Sequence, residues 1–179
     1  MAKIIKCIAV VTFALSVIFS ILNAIFDSAV WLFLTITFAT VTYHFGMRLF
    51  VGFVFDRIMN NKVDYNRKWF QVSPAEIRFY NAIKVKRWKN RMPAYDPELF
   101  STQNHTWDEI VQAMCQAELV HETIVVLSFL PIMLTIWWGE FWVFLITSVF
   151  AALIDLSFVM MQRYNRPRLL RLIKRNRKN

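Results

Sequence analysis

Four long apolar stretches dominate the chain: Ile4–Phe26, Val30–Phe55, Leu119–Trp138 and Phe141–Met161. Within each, apolar residues fall on every side of a helical projection rather than on one stripe, a pattern that suits lipid on all sides. A helix rises about 1.5 Å per residue, so about 20 such residues cross the hydrocarbon core. Each stretch is that long. The turns Asp27–Ala29 and Gly139–Glu140 separate them in pairs. The pattern therefore predicts an all-α integral membrane protein with four transmembrane helices, at about 4–26, 30–55, 119–138 and 141–161, arranged as two hairpins. Trp31, Trp137, Trp138 and Trp142 sit beside the two turns, where aromatic belts form.

Residues 56–118 are too long for a simple connection. They carry Trp69, Phe70, Ile77, Phe79, Tyr80, Ile83, Val85, Trp88, Leu99, Phe100 and Trp107, which predicts a helical interfacial segment packed at the membrane surface. Ser73-Pro74-Ala75-Glu76 is a helix start, with Ser at the cap, Pro in the first turn and Glu three residues on. A basic amphipathic helix is expected from there to about Asn90, followed by a turning linker at Met92–Pro97. Thr106-Trp107-Asp108-Glu109 is a second cap-like start, leading into the third span. A basic tail, 162–179, completes what reads as a single membrane domain over residues 1–179.

Charge adds orientation to this picture. The two short turns contain no Lys or Arg, and all 21 basic residues fall elsewhere: Lys3 and Lys6, 11 from Arg48 to Arg91, and 8 from Arg163 to Lys178. Cytoplasmic loops collect Lys and Arg, so a multi-pass protein of the cell membrane is expected with both termini and the middle segment in the cytoplasm. Lys3 and Lys6 ahead of Ile8–Ile21 resemble the start of a secretory signal, but no small-x-small cleavage pattern follows, and a retained helix is expected. The net charge of +9 fits basic residues beside membrane helices. No zinc-finger spacing or RNA-binding aromatic signature accompanies it, so no nucleic-acid partner is expected. Cys7 and Cys115 both map to the cytoplasmic side, where neither a disulfide nor a metal site is expected.

Several polar residues are not required by a membrane pattern. His44 and Arg48 lie four apart on one face of the second stretch. Glu118 stands one turn before both His121 and Glu122 at the mouth of the third. Asp155 interrupts the fourth, and Arg163, Asn165 and Arg166 follow at its end. Ionisable groups in a bilayer usually face a bundle interior and partner one another, so these residues are expected to converge on one leaflet. Each also has a simpler reading. Arg48 can snorkel to the headgroups, His44 can bond a neighbouring helix, and Asp155 can be a structural partner for Arg48 or Arg163. His121 is the leading candidate for proton transfer, because imidazole exchanges a proton near neutral pH and a carboxylate one turn away, Glu118, would orient it.

The run Ala117-Glu118-Leu119-Val120-His121, the later Leu130-Pro131, and Gln162-Arg163-Tyr164-Asn165-Arg166-Pro167-Arg168-Leu169 resemble the glycosyl-4,4'-diaponeurosporenoate acyltransferase family. Lys86-Arg87-Trp88-Lys89-Asn90-Arg91-Met92-Pro93 is similar to that family's Arg-Trp-Lys segment. The resemblance covers about residues 65–175. Glu122 departs from it, standing where an aromatic residue is expected after the His. The resemblance implies a membrane acyltransferase that moves a fatty acyl group from an acyl thioester to a hydroxyl of a glycosylated lipid or carotenoid. His121 and Glu118 would be catalytic. Arg163, Asn165, Arg166, Trp88 and Lys89 would bind substrate, joined by His44 and Arg48, which the polar pattern of the second stretch suggests and the resemblance does not cover. The donor would be acyl-CoA or an acyl carrier protein, with no tightly bound cofactor and no metal. The acyltransferase motif His-x-x-x-x-Asp is absent, since Leu49, Ile110 and Val126 follow the three histidines at that spacing. A membrane lipid methyltransferase and a non-enzymatic membrane adaptor fit the same charged cluster.

Overall fold

The computed structural model describes residues 2–92 and 98–176. No strand occurs among them. The helices are α1 (Ala2–Phe26), α2 (Ala29–Met59), α3 (Pro74–Ala82), α4 (Val85–Trp88), α5 (Trp107–Leu127), α6 (Thr135–Trp138) and α7 (Phe141–Asn176), with short 3₁₀ turns at Lys68–Phe70, Lys89–Arg91, Glu98–Phe100 and Leu130–Leu134. Four helical spans are long and apolar enough to cross a membrane: Lys3–Phe26, Ala29–Met59, Trp107–Trp138 and Phe141–Asn176. At most 33% of any span's most apolar window is buried. Large side chains such as Phe13, Phe50, Phe53 and Phe150 are exposed, as lipid-facing residues are and water-facing ones rarely are.

The chain folds as two compact units. One comprises Ala2–Phe53 and Thr123–Ile154. Here α1 turns back into α2 at Asp27, whose φ of 42° is left-handed. Phe19 stacks on Trp31 at 5.9 Å and tilts against Phe38 at 5.3 Å. The hydroxyls of Thr12 and Thr42 meet at 2.9 Å across the hairpin. Thr35, Thr37, Thr40 and Thr42 each donate to the carbonyl four residues back, which satisfies these hydroxyls where no water is available.

The third span is not one continuous helix. Helix α5 ends at Leu127, and Pro131 sits in a 3₁₀ turn before α6. Proline has no N–H for the carbonyl four residues back, here that of Leu127. The Tyr43 hydroxyl donates to that carbonyl at 2.9 Å, so the break leaves it bonded.

The other unit comprises Val54–Glu122 and Asp155–Asn179, of which the expected linker positions 93–97 and the last three tail positions lie outside the described residues. Both expected helix starts form. Ser73 and Glu76 exchange side chain–backbone hydrogen bonds, Ser73 N–H to Glu76 at 2.8 Å and Glu76 N–H to Ser73 at 3.2 Å. Thr106 and Glu109 do the same at the start of α5. The helix expected to reach Asn90 does not. It stops at Ala82, and Lys84 takes a left-handed φ of 55°. That turn sends Val85 into a cluster with Tyr80 and Tyr164, with Ile83 and Trp88 packed against it. Burying Val85 and half of Trp88 outweighs the cost of one left-handed residue, about 1 kcal/mol. A second cluster joins Val63, Phe70 and Cys115. The fourth span, expected at about 141–161, continues through Pro167 in α7, which runs for 36 residues in all, about 54 Å.

Tyr43→Phe is expected to destabilise the protein by about 1–2 kcal/mol, because it leaves the Leu127 carbonyl without its donor in an apolar setting. The loss should shrink in a Pro131→Ala background, where residue 131 regains an N–H. Unfolding in detergent micelles of both singles and the double variant measures the coupling.

Candidate functional site

The polar centre of the second unit lies between α5 and α7. Glu118 has no exposed surface, and neither has Arg166. One Glu118 oxygen accepts from Arg163 Nη1 at 2.5 Å, and the other accepts from Arg166 Nη1. Both guanidiniums then reach the chain ahead of α3. Arg163 donates to the carbonyls of Trp69 at 3.1 Å and Gln71 at 3.3 Å, and Arg166 donates to that of Phe70. Arg163 Nε also pairs with Glu76 at 2.8 Å. Burial by itself pushes the Glu76 carboxyl up, but hydrogen bonds from Arg163 and Ser73 and the Arg163 charge hold it below the ordinary carboxylate value. These arginines are spaced three apart on α7, so one face of the helix carries both.

This placement corrects two expectations. Glu118 does not orient His121, because its two oxygens are committed to two arginines. Arg166, expected to line the site, is fully enclosed, and its Nη atoms serve Glu118, the Cys115 sulfur and the Phe70 carbonyl. Both residues hold the 68–76 segment to α5 and α7.

The carboxylate beside His121 is Asp155. His121 Nδ1 lies 2.8 Å from Asp155 Oδ1. The Asp155 side chain is 1% exposed and that of His121 is 22% exposed. Phe158, one turn after Asp155 on α7, stacks on the imidazole with centroids 4.6 Å apart and an interplanar angle of 9°. With Asp155 ionised, Nδ1 carries the proton and donates, which leaves Nε2 as an acceptor. The ring is thus fixed in tautomer by a carboxylate and in plane by an aromatic face. A lone Asp in the run Phe141–Met161 was the sequence signal for this pair, because a carboxylate there needs a partner. The partner's identity was not legible, since Asp155 and His121 are 34 residues apart.

The remaining candidates divide. Lys89 donates to Asn165 Oδ1. Trp88 packs in the Tyr80–Val85–Tyr164 cluster and donates to the Ile83 carbonyl at 3.2 Å. Glu122 accepts from Trp69 Nε1 at 2.9 Å. His44 and Arg48 belong to the other unit, where Arg48 donates to the carbonyls of His44 at 2.9 Å and Ala151 at 3.1 Å. Among the described residues no group of three or more His, Cys, Asp or Glu is placed to hold a metal ion.

Arg166→Met is expected to lower stability by about 3–5 kcal/mol, because it leaves Glu118 buried with one partner gone. Adding Glu118→Leu should recover part of that loss, since an apolar pair of similar volume needs no counter-charge. Thermal unfolding in micelles checks both.

No curated protein and no solved structure matches the chain significantly. One protein family does. The family described as glycosyl-4,4'-diaponeurosporenoate acyltransferase matches residues 66–175, which is more than half of the chain and includes most of the interfacial segment, His121, Asp155, Arg163 and Arg166. On that match, the chain belongs to the glycosyl-4,4'-diaponeurosporenoate acyltransferase family.

Proposed function

We propose that this protein transfers a fatty acyl group from an acyl thioester to a hydroxyl of a glycosylated lipid or carotenoid, with His121 as the general base and Asp155 as the residue that orients it. The observation that carries the reading is the 2.8 Å His121–Asp155 pair at the meeting of α5 and α7, inside the segment that matches an acyltransferase family. The base takes the hydroxyl proton on Nε2. The freed oxygen attacks the thioester carbonyl, the C–S bond breaks, and the imidazolium returns its proton to the leaving thiolate. Asp155 holds Nδ1–H throughout and stabilises the charged imidazolium. Family membership supports acyl transfer in carotenoid glycolipid modification.

A positioned general base contributes about 10²–10⁴-fold. His121→Ala is expected to lose turnover on that scale while still folding and inserting into the membrane. Asp155→Asn should lose a smaller but large factor, because the amide can accept from Nδ1–H but no longer balances the imidazolium charge. Acylated product measured by mass spectrometry with purified protein checks this. Turnover of His121→Ala within a few-fold of wild type would overturn the assignment.

The acceptor is placed at the cytoplasmic leaflet, with both termini in the cytoplasm. The support is the absence of Lys and Arg from the two short turns. Single-cysteine variants at Ser28 and Ser101 test this with a membrane-impermeant thiol reagent on intact cells. Ser28→Cys should label and Ser101→Cys should not, and the reverse pattern would invert the topology.

A further inference from the structure

The inner arginines of α7 are matched by carboxylates, but three cations nearby are not. Lys89 places its ammonium 5.3 Å from the centre of the Tyr164 ring while donating to Asn165 Oδ1. Arg168 places its guanidinium carbon 4.6 Å from the same ring centre, and its Nη2 donates to the Tyr164 hydroxyl at 2.7 Å. Lys86 lies one turn before Lys89. Tyr164 is rigid, buried with Tyr80 and Val85. Among the described residues, no carboxylate lies within ion-pair distance of Lys86, Lys89 or Arg168. Burial first, and then the charges of Arg168 and Lys86, hold the Lys89 ammonium below the ordinary lysine value.

Lys89 and Arg168 gather on one aromatic side chain with Lys86 one turn away, the three like charges repel one another, and no carboxylate among the described residues pairs with them. By contrast, Arg163 on the same helix is neutralised by Glu76 and Glu118. The open positions are all donors: the free N–H groups of two ammoniums, the unused edge of Arg168 and the Asn165 amide, whose oxygen is already turned to Lys89. A tetrahedral dianion or monoanion of several acceptor oxygens is the group that satisfies such a set.

We propose that Lys86, Lys89 and Arg168, held by Tyr164 and Asn165, form a binding site for a phosphate ester. The phosphate can belong to the acyl donor, as in a coenzyme A or phosphopantetheine thioester, or to an anionic lipid headgroup. Assigning it to the donor rests on the acyl-transfer reading above, whereas the binding itself does not.

The test uses the full-length protein in nonionic micelles and two probes. Adenosine 3′,5′-bisphosphate represents the donor, and a short-chain phosphatidylglycerol represents the lipid. Binding is followed by calorimetry at two salt concentrations. At least one probe should bind saturably, more weakly at higher salt. Among the described residues no ion pair or side-chain hydrogen bond holds Lys86, so Lys86→Gln should fold normally and weaken binding about tenfold, and adding Lys89→Gln and Arg168→Gln should weaken it further. Sensitive binding of the bisphosphate marks a donor site, and sensitive binding of phosphatidylglycerol marks a headgroup site. Saturation by neither probe, or binding unchanged in the triple variant, would overturn the proposal. Because these measurements need no turnover, they stand even if His121→Ala retains activity.

Discussion

A single buried carboxylate organises the functional half of this molecule. Glu118 has no contact with solvent and binds two arginines of α7. Those arginines extend to three consecutive backbone carbonyls, at Trp69, Phe70 and Gln71, and to the Glu76 side chain. The Phe70 carbonyl, the buried one of the three, takes its donor from the enclosed Arg166. A network of this kind adds little net stability over an apolar core of the same volume, because desolvating the charges costs nearly what their attraction returns. What it supplies is uniqueness. Any other register of α7 against α5 would strand a charge in the interior.

The consequence for chemistry is a division of labour along α7. Asp155 meets His121. Arg163 and Arg166 are engaged with Glu76, Glu118 and backbone carbonyls. Lys89, Asn165 and Arg168 lie near Tyr164, where the charge is unbalanced. Their sequence spacing is short, yet their roles differ because the side chains facing each one differ. His121 is the member whose imidazole is oriented both by a carboxylate and by an aromatic face.

The two prolines in the apolar helices show how far local preference reaches. Pro131 coincides with a break, and the carbonyl it cannot serve is taken by Tyr43. Pro167 is carried through α7 without a stop. The difference lies downstream. Past Pro167 the helix still buries Ile173, and that packing outweighs one missing hydrogen bond. The same override appears in reverse at Lys84, where a good helical sequence is interrupted so that Val85 can reach Tyr80 and Tyr164.

The helical spans and the two cap boxes were legible from residue order alone. Each depends on neighbours three or four positions away, or on a run of apolar side chains whose partner is lipid wherever they stand. That His121, an imidazole in a polar cluster at the end of an apolar run, would meet a carboxylate was legible for the same reason. Which carboxylate it would meet was not. Glu118 was the nearest in sequence, and a helix turn made it the natural partner, but two arginines from α7 hold it and leave Asp155 for the imidazole. Which acid meets which base is settled by the pairing of α5 with α7, through side chains 34 to 48 residues apart. Local spacing constrains which residues share a face, whereas the choice among several opposite charges on facing helices is made only when the helices pack.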